Sequence, residues 1–308
     1  MSDGLIQIGG EQRPTERSGK PEWLRIRLET PKQYHQVRKL VDGLDLNTVC
    51  EEARCPNIYE CWGEHGTATF MILGDICTRR CGFCAVTSGR PAAGTDEAEP
   101  DRVAQAVEVM GLAHAVITSV DRDDLPDGGA RHFARVIEAV HRLQRPVAVE
   151  VLTPDFRGVP EALDVVLAAR PEIFSHNMET VPRLYRTARP GSRYDRSLEL
   201  LAAASRRQTN EIFAGRVKTG IMVGLGESEA EVRQTMREIR QTGVEILTIG
   251  QYLRPSPEHL PVDRWVHPDE FTRYSAHARE LGFAHCEAGP LVRSSYHAHE
   301  QVAHASGG

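Results

Sequence analysis

Val217-Lys218-Thr219-Gly220-Ile221-Met222-Val223 is followed by Gly224-Leu225-Gly226-Glu227-Ser228, by a charged segment of helical period up to residue 242, and by Glu245-Ile246-Leu247-Thr248-Ile249-Gly250. The outer two runs are close to continuously apolar, as suits strands covered on both faces; a half-exposed strand alternates. Ser228 and Glu231 stand at capping-box spacing and open a helix between the two runs. Strand, helix, strand is a βαβ unit, whose two strands lie parallel.

Outward from this unit the same rhythm occurs six times. Strands are expected at 67–73, 113–119, 147–152, 172–176, 217–223 and 245–250, with helices near 100–111, 128–143, 160–169, 196–212, 228–242 and 268–282. The class is α/β with a parallel sheet, and periodicity leaves open whether that sheet is doubly wound or a partial barrel. In either case ligands sit at the carboxyl ends of the strands, which singles out the loops 74–84, 121–127, 153–155, 177–180, 224–227 and 251–255. Residues 1–30 form a mobile N-terminal segment, polar at its start. Residues 31–66 form an N-terminal extension that opens with Tyr34, Val37, Leu40, Val41 and Leu44 at helical spacing. The six units occupy 67–282, and 283–308 form a C-terminal extension.

With 308 residues, 40% of them hydrophobic, the chain is long enough and apolar enough to bury a core. Lys and Arg number 37 against 43 Asp and Glu, a net charge of −6, so no global basic field exists to hold a nucleic acid. No run approaches the roughly 18 apolar residues of a membrane span. The first twenty residues carry Asp3, Glu11 and Glu16 without an apolar segment, unlike a secretory or transit peptide. The expected location is the cytoplasm, with neither membrane nor nucleic acid as partner.

Six of the seven cysteines, Cys50, Cys55, Cys61, Cys77, Cys81 and Cys84, fall within residues 50–84. In an intracellular chain of this size, such clustering reads as metal ligation or redox chemistry rather than a disulfide framework. Cys77-x3-Cys81-x2-Cys84 directly follows the first expected strand, where this architecture places its active site. Three thiolates hold three irons of a cubane that in closed form takes four cysteines, and an open metal position is what catalysis requires. The competing reading is a structural zinc knuckle, which wants four ligands in closely spaced pairs. Cys50-x4-Cys55-x5-Cys61 is a second incomplete triad, so the six cysteines suggest two clusters.

Cys77-Thr78-Arg79-Arg80-Cys81-Gly82-Phe83-Cys84 resembles the cluster loop of the radical S-adenosylmethionine (SAM) superfamily, with three-then-two spacing and an aromatic residue before the last cysteine. The resemblance implies a [4Fe–4S] cluster whose open iron chelates the methionine amino and carboxylate groups of SAM. Its electron cleaves SAM to a 5′-deoxyadenosyl radical that abstracts hydrogen from an unactivated carbon, chemistry beyond acid–base side chains. Cys50-Glu51-Glu52-Ala53-Arg54-Cys55-Pro56-Asn57 through Cys61-Trp62 is similar to the auxiliary-cluster motif of lipoyl synthases. Arg293-Ser294-Ser295-Tyr296 resembles that family's C-terminal motif, in which a serine supplies the fourth ligand. Ser294 is taken here as that ligand, and Ser295 as support for the loop. A hard serine oxygen suits iron–sulfur chemistry less well than thiolate, so its iron is the easiest to release from a cluster dismantled for sulfur.

What the resemblance implies for the whole is a six-unit (βα)6 partial TIM barrel, with N- and C-terminal extensions holding an auxiliary [4Fe–4S] cluster over its mouth. The implied reaction inserts sulfur at carbons 6 and 8 of an octanoyl chain amide-linked to a lysine of a lipoyl carrier protein. Such carriers are the glycine-cleavage H protein and the acyltransferase subunits of 2-oxoacid dehydrogenases. Two C–H bonds are replaced, so two SAM molecules are consumed and the auxiliary cluster supplies the sulfur. An electron donor and an iron–sulfur carrier that rebuilds the cluster are further implied partners. The rivals are a biotin-synthase-like or methylthio-transferring radical SAM enzyme, and a non-catalytic iron–sulfur carrier that would not need six βα units.

The remaining candidates are weaker. Asp121-Arg122-Asp123-Asp124-Leu125-Pro126-Asp127 fails as a calcium loop, because Leu125 and His132 stand where ligands are required. By similarity to the superfamily, Ser119 and Asp121 are expected to meet the SAM ammonium. A dinucleotide fingerprint needs glycine where Glu229 stands, which rejects NAD. Gly224 and Gly226 are instead implied as part of the SAM pocket. Asn177, Glu179, Lys218 and Gln251, at or near strand ends, are candidate contacts to SAM or substrate. Cys286 beside His285 reads as a structural thiol, since neighbours on a strand point apart. His297, His299 and His304 read as a solvated tail.

Overall fold

The sheet has seven parallel strands, the first six built on largely buried runs: β1 Thr69–Ile72, β2 His114–Ser119, β3 Ala148–Leu152, β4 Ile173–Ser175, β5 Arg216–Val223, β6 Ile246–Gln251 and β7 His285–Gly289. The computed structural model describes residues 19–25, 32–52, 55, 57–63, 68–92, 94–208 and 212–295, and of Cys61 only the backbone. The Cys61 thiol, Tyr296, the three tail histidines and most of the 1–30 segment therefore lie outside the described residues.

The strands neighbour one another in chain order, preceded by the two-residue strand Asn47–Thr48, which pairs antiparallel with β1. A doubly wound sheet would reverse direction at a switch point, and this order has none. Between successive strands lie α1 Glu99–Met110, α2 Ala130–His141, α3 Pro160–Ala168, α4 Tyr194–Arg206, α5 Glu229–Gln241 and α6 Pro268–Leu281. Consecutive helices pack against one another in a single layer around the sheet. Among the described residues the two edge strands do not meet, so the sheet does not close into a barrel.

The expected count of six strands is one short. β7, expected as part of the C-terminal extension, adds parallel to β6 with His285 opposite Ile246 and Gly289 opposite Gly250. Its residues are small, polar and only half-buried, so the strand carries no apolar run. The short helix Pro182–Ala188 was also not anticipated. Ser228 does cap α5 by the expected capping box, its hydroxyl accepting from Glu231 N–H while the Glu231 carboxylate accepts from Ser228 N–H.

Both extensions are tied to the sheet. The helix Lys32–Gly43 packs Tyr34 against Trp62 at 5.5 Å and against Tyr59 at 4.9 Å, and Trp62 is fully buried. Asn57 Nδ2 donates to the Leu291 carbonyl at 2.9 Å. The segment after β7 then reaches from β6 to β1: Arg293 donates to the Gln251 carbonyl, and Thr69 Oγ1 donates to Ser295 Oγ at 3.0 Å. It passes β6 at Gly250, where a Cβ would stand 2.2 Å from the Val292 carbonyl oxygen, so only glycine permits the approach.

Candidate active site

The chain leaves β1 through Leu73 and Gly74, both at positive φ, and enters the cysteine loop. Ile76–Cys77 pairs with Thr87–Ser88 in a two-stranded parallel ribbon. Cys77 Sγ accepts from the N–H groups of Asp121 at 3.3 Å and Arg79 at 3.5 Å, which fixes it at the carboxyl end of β2. Farther along, Gly82 N–H donates to Ala188 O and Leu260 N–H to Gly82 O, each at 2.9 Å, while His259 Nε2 lies 2.9 Å from the Cys84 carbonyl. The loop is thus held from three strand ends.

Arg79 is its main anchor. The guanidinium is buried, forks onto Asp123 at 2.7 and 2.8 Å, and meets Asp155 at 2.6 Å and Asp121 at 3.3 Å. Burial alone would raise the Asp155 carboxyl, but Arg79, His176 and Arg196 outweigh it and hold the carboxyl well below its usual range. Charge-assisted forks of this kind fix orientation as well as energy.

Cys77, Cys81 and Cys84 line one cavity of about 520 Å³, together with Cys50 and Cys55 of the upstream triad. Burial, with Asp121 adding to it, pushes the Cys77 thiol up to about 11. Burial likewise raises Cys81 to about 12 against the opposing charge of Arg189, and raises Cys84. These thiols carry protons at neutral pH, so metal binding here releases protons. Among the described residues no three His, Cys, Asp or Glu side chains converge as the ligands of a single ion. A cubane does not ask for convergence, because each thiolate binds a different iron. Three thiolates on one loop suit a cubane with one open iron.

Ser119, Asp121, Asn177, Glu179 and Gln251 line the same cavity, as do Ser294 and Ser295. Ser119 Oγ and Asn177 Oδ1 are buried without a hydrogen-bond partner among the described residues, whereas Asp121 Oδ1 has the Arg79 guanidinium at 3.3 Å. Buried polar atoms are rarely left without a partner, and two on residues lining one cavity suit a polar ligand. Glu179 adopts φ +65°, a conformation uncommon outside glycine and concentrated at functional sites. Burial raises its carboxyl, opposed by Arg189 and by a hydrogen bond from Asn177. Gln251 lines the cavity too, yet its amide is engaged with Tyr252 O, Arg264 O and Val266 N–H and braces the following loop.

Three expected contacts lie elsewhere. Lys218 shares the inward face of β5 with Gly220 and Met222, which line the cavity, but it stands deeper and does not. Its Nζ meets Glu150 at 2.8 Å, with His114 at 3.5 Å from the other carboxylate oxygen, all fully buried. Burial would raise Glu150, but Lys218 and His114 outweigh it and lower it. Removing one partner of a buried pair strands the other charge, so Lys218→Ala is expected to destabilise the fold by about 3–5 kcal/mol. Urea unfolding checks this, and an unchanged midpoint would refute it. Gly224 and Gly226 do not line the cavity either. A Cβ on Gly224 would stand 2.2 Å from Gln251 Nε2, and Gly226 packs near Asp263.

Arg189 and Arg293 were missed as cavity residues. Arg189, after the helix Pro182–Ala188, donates to Asn177 O at 2.7 Å and leaves a buried Nε without a partner. Arg293 donates to the carbonyls of Val292 at 2.6 Å and Gln251 at 3.4 Å. Burial pulls its pKa below the usual arginine range, with Cys55 opposing.

Residues 71–239 match the family model of the radical SAM superfamily, and residues 9–55 match the N-terminal domain of lipoyl synthase of the radical SAM family. The chain is 57% identical over 293 residues to a lipoyl synthase of Rubrobacter xylanophilus, covering 95% of this chain and 89% of the relative. It is 53% identical to a lipoyl synthase of Koribacter versatilis, over 98% of this chain and 97% of the relative. A lipoyl synthase of Methylococcus capsulatus is 55% identical, over 98% and 92%. Among solved structures, a maturase of the [FeFe]-hydrogenase superimposes at TM-score 0.54 and 16% identity, over 69% of this chain and 49% of its own. A methylornithine synthase does so at 0.53 and 12%, over 83% and 82%. These two share the fold.

Proposed function

Because the chain belongs to the lipoyl synthase family of the radical SAM superfamily, we propose that Cys77, Cys81 and Cys84 hold the cluster that cleaves SAM, and that Cys50, Cys55 and Cys61 with Ser294 hold a second cluster. When bound, the first cluster and SAM supply the hydrogen-abstracting radical, and the second supplies sulfur for C6 and C8 of a protein-bound octanoyl-lysine. The observation that carries this reading is that members of both cysteine triads line one cavity at the carboxyl ends of the strands.

The chain's own residues position and enclose. Arg79, through Asp121, Asp123 and Asp155, keeps the cysteine loop in register with β2 and β3. Ser119 and Asn177 offer their unpartnered oxygens, and Asp121 its Arg79-paired carboxylate, to the methionine ammonium of SAM. We read the fold as a partial barrel of six βα units, extended by β7, with residues 31–66 and the segment after β7 as the two flanking extensions. Among the described residues no helix is long and apolar enough to cross a membrane; the location proposed is the cytoplasm. The proposed partners are octanoylated H protein and 2-oxoacid dehydrogenase acyltransferase subunits, an electron donor and an iron–sulfur carrier.

The test is mass spectrometry of an octanoyl-lysine peptide after turnover with SAM and a reductant. Gain of two sulfur atoms is expected. Formation of 5′-deoxyadenosine with an unaltered peptide would point to another radical SAM reaction.

Ser295 Oγ accepts from Thr69 Oγ1, as support for the loop would, and Ser294 remains our choice of fourth ligand on the resemblance. Ser294→Cys is expected to load the auxiliary site normally and to slow iron release to a chelator by about tenfold or more, since thiolate is the better match for iron–sulfur chemistry. Sulfur insertion falls while SAM cleavage persists. Unchanged release kinetics would assign the ligand to another atom.

A further inference from the structure

Several buried cations of this protein meet carboxylates, whereas Arg189, at the active-site cavity, meets a carbonyl and a tyrosine hydroxyl. Arg79 pairs with three aspartates, Arg122 with Asp124, and Lys218 with Glu150. Arg293 differs. It lines the cavity, and among the described residues its hydrogen-bond partners are two backbone carbonyls. Carbonyl oxygens solvate a guanidinium but carry no compensating charge. Cys55 of the upstream triad lines the same cavity. Arg293 is half-buried, and a partly desolvated charge with no carboxylate beside it among the described residues is a site for an anion.

The placement is enforced rather than incidental. Val292 and Arg293 reach β6 because Gly250 has no side chain: a Cβ there would stand 2.2 Å from Val292 O and 3.4 Å from Arg293 Nη1. Asn57, close in sequence to Cys55, holds the Leu291 carbonyl of the same segment. The guanidinium is thus fixed in the cavity that Cys50 and Cys55 also line, by contacts on either side of it along the chain.

Resting on the two-cluster reading above, we propose that Arg293 is the fixed counter-cation of the auxiliary cluster, a positioning residue that neutralises the cluster's negative charge and raises its reduction potential. Arg293 immediately precedes Ser294, so one segment delivers both the neutralising charge and the oxygen ligand. Seating the segment on the cluster is therefore one event, and loss of the cluster leaves the cation uncompensated.

The test uses the full-length chain carrying Cys77→Ala, Cys81→Ala and Cys84→Ala, so that only the auxiliary site can load. Arg293→Met and Arg293→Lys are compared in that background by iron and sulfide content and by an EPR-monitored redox titration. Arg293→Met is expected to shift the one-electron reduction equilibrium at least tenfold toward the oxidised cluster, about 59 mV, and Arg293→Lys to recover at least half of that shift. Failure of Arg293→Met to load while Arg293→Lys loads supports the role of charge equally. Two results overturn the proposal: a loaded Arg293→Met protein with unchanged potential, or equal defects in both variants, which assign the residue to its carbonyl bonds alone. If the triple-alanine background itself holds no cluster, the upstream triad is not a cluster site, and the two-cluster reading fails before Arg293 is reached.

Discussion

Cys81→Ala abolishes 5′-deoxyadenosine formation to the level of a no-enzyme control and removes about half of the iron from the reconstituted protein. Cys81 stands at the centre of the loop and bears on both neighbours: the Cys84 N–H donates to its carbonyl at 3.1 Å, and its side chain lines the cavity with Cys77 and Cys84. The loop itself does not depend on the thiol. It is held by Arg79 on Asp123 and Asp155, by Gly82 on Ala188 and by Leu260 on Gly82, all of which survive the change. The loss is therefore one of ligation rather than of folding, since a loop left with two thiolates no longer retains a cubane. Chromatographic quantification of 5′-deoxyadenosine and an iron count, with thermal unfolding as the control for folding, make the measurement. Normal SAM cleavage in the variant would remove the assignment of this triad.

The strand–helix alternation was legible because strands covered on both faces must be apolar throughout, and β2 and β6 are buried along nearly all their length. β7 was not legible for the converse reason. An edge strand covered less completely tolerates His285, Cys286 and Glu287, and nothing in that composition separates it from a loop. The cysteine spacing was legible because it is local: ligands of one cluster on one loop leave their geometry in the sequence.

The misplaced candidates show what local pattern omits. Lys218 was expected at or near a strand end, but a partner 68 residues away, Glu150, holds it deeper in the sheet. Gly224 was read as yielding space to a ligand, whereas the space is taken by Gln251. Arg79 and Arg293 owe their roles to groups that the chain brings together across the whole mouth of the sheet, Asp155 in one case and the neighbourhood of Cys55 in the other. Neither relation leaves a trace at short range.

Replacing Cys55 with alanine spares SAM cleavage and eliminates sulfur insertion. The backbone around Cys55 is held without its thiol, because its N–H donates to Cys50 O at 3.0 Å and its carbonyl accepts from Ile58 N–H at 3.3 Å. The helix Ile58–Gly63 and its buried Trp62 are therefore expected to stay in place. The SAM-cleaving loop is anchored separately, through Arg79 and the strand ends, so 5′-deoxyadenosine forms within about threefold of the unaltered protein, a difference of under 1 kcal/mol in barrier. The sulfur donor is what is lost: two remaining thiolates with one serine oxygen do not hold a cubane. A substrate radical with no sulfide to capture it is quenched by an electron from the reductant and a proton, so 5′-deoxyadenosine accumulates while the octanoyl chain gains no sulfur. Mass spectrometry of the peptide, run alongside the 5′-deoxyadenosine assay on one sample, reads both halves of this outcome. If lipoyl product still accumulates, sulfur comes from elsewhere and the upstream triad is not the donor. If 5′-deoxyadenosine disappears along with it, the two triads do not act independently, and the separation argued from their separate anchors is wrong.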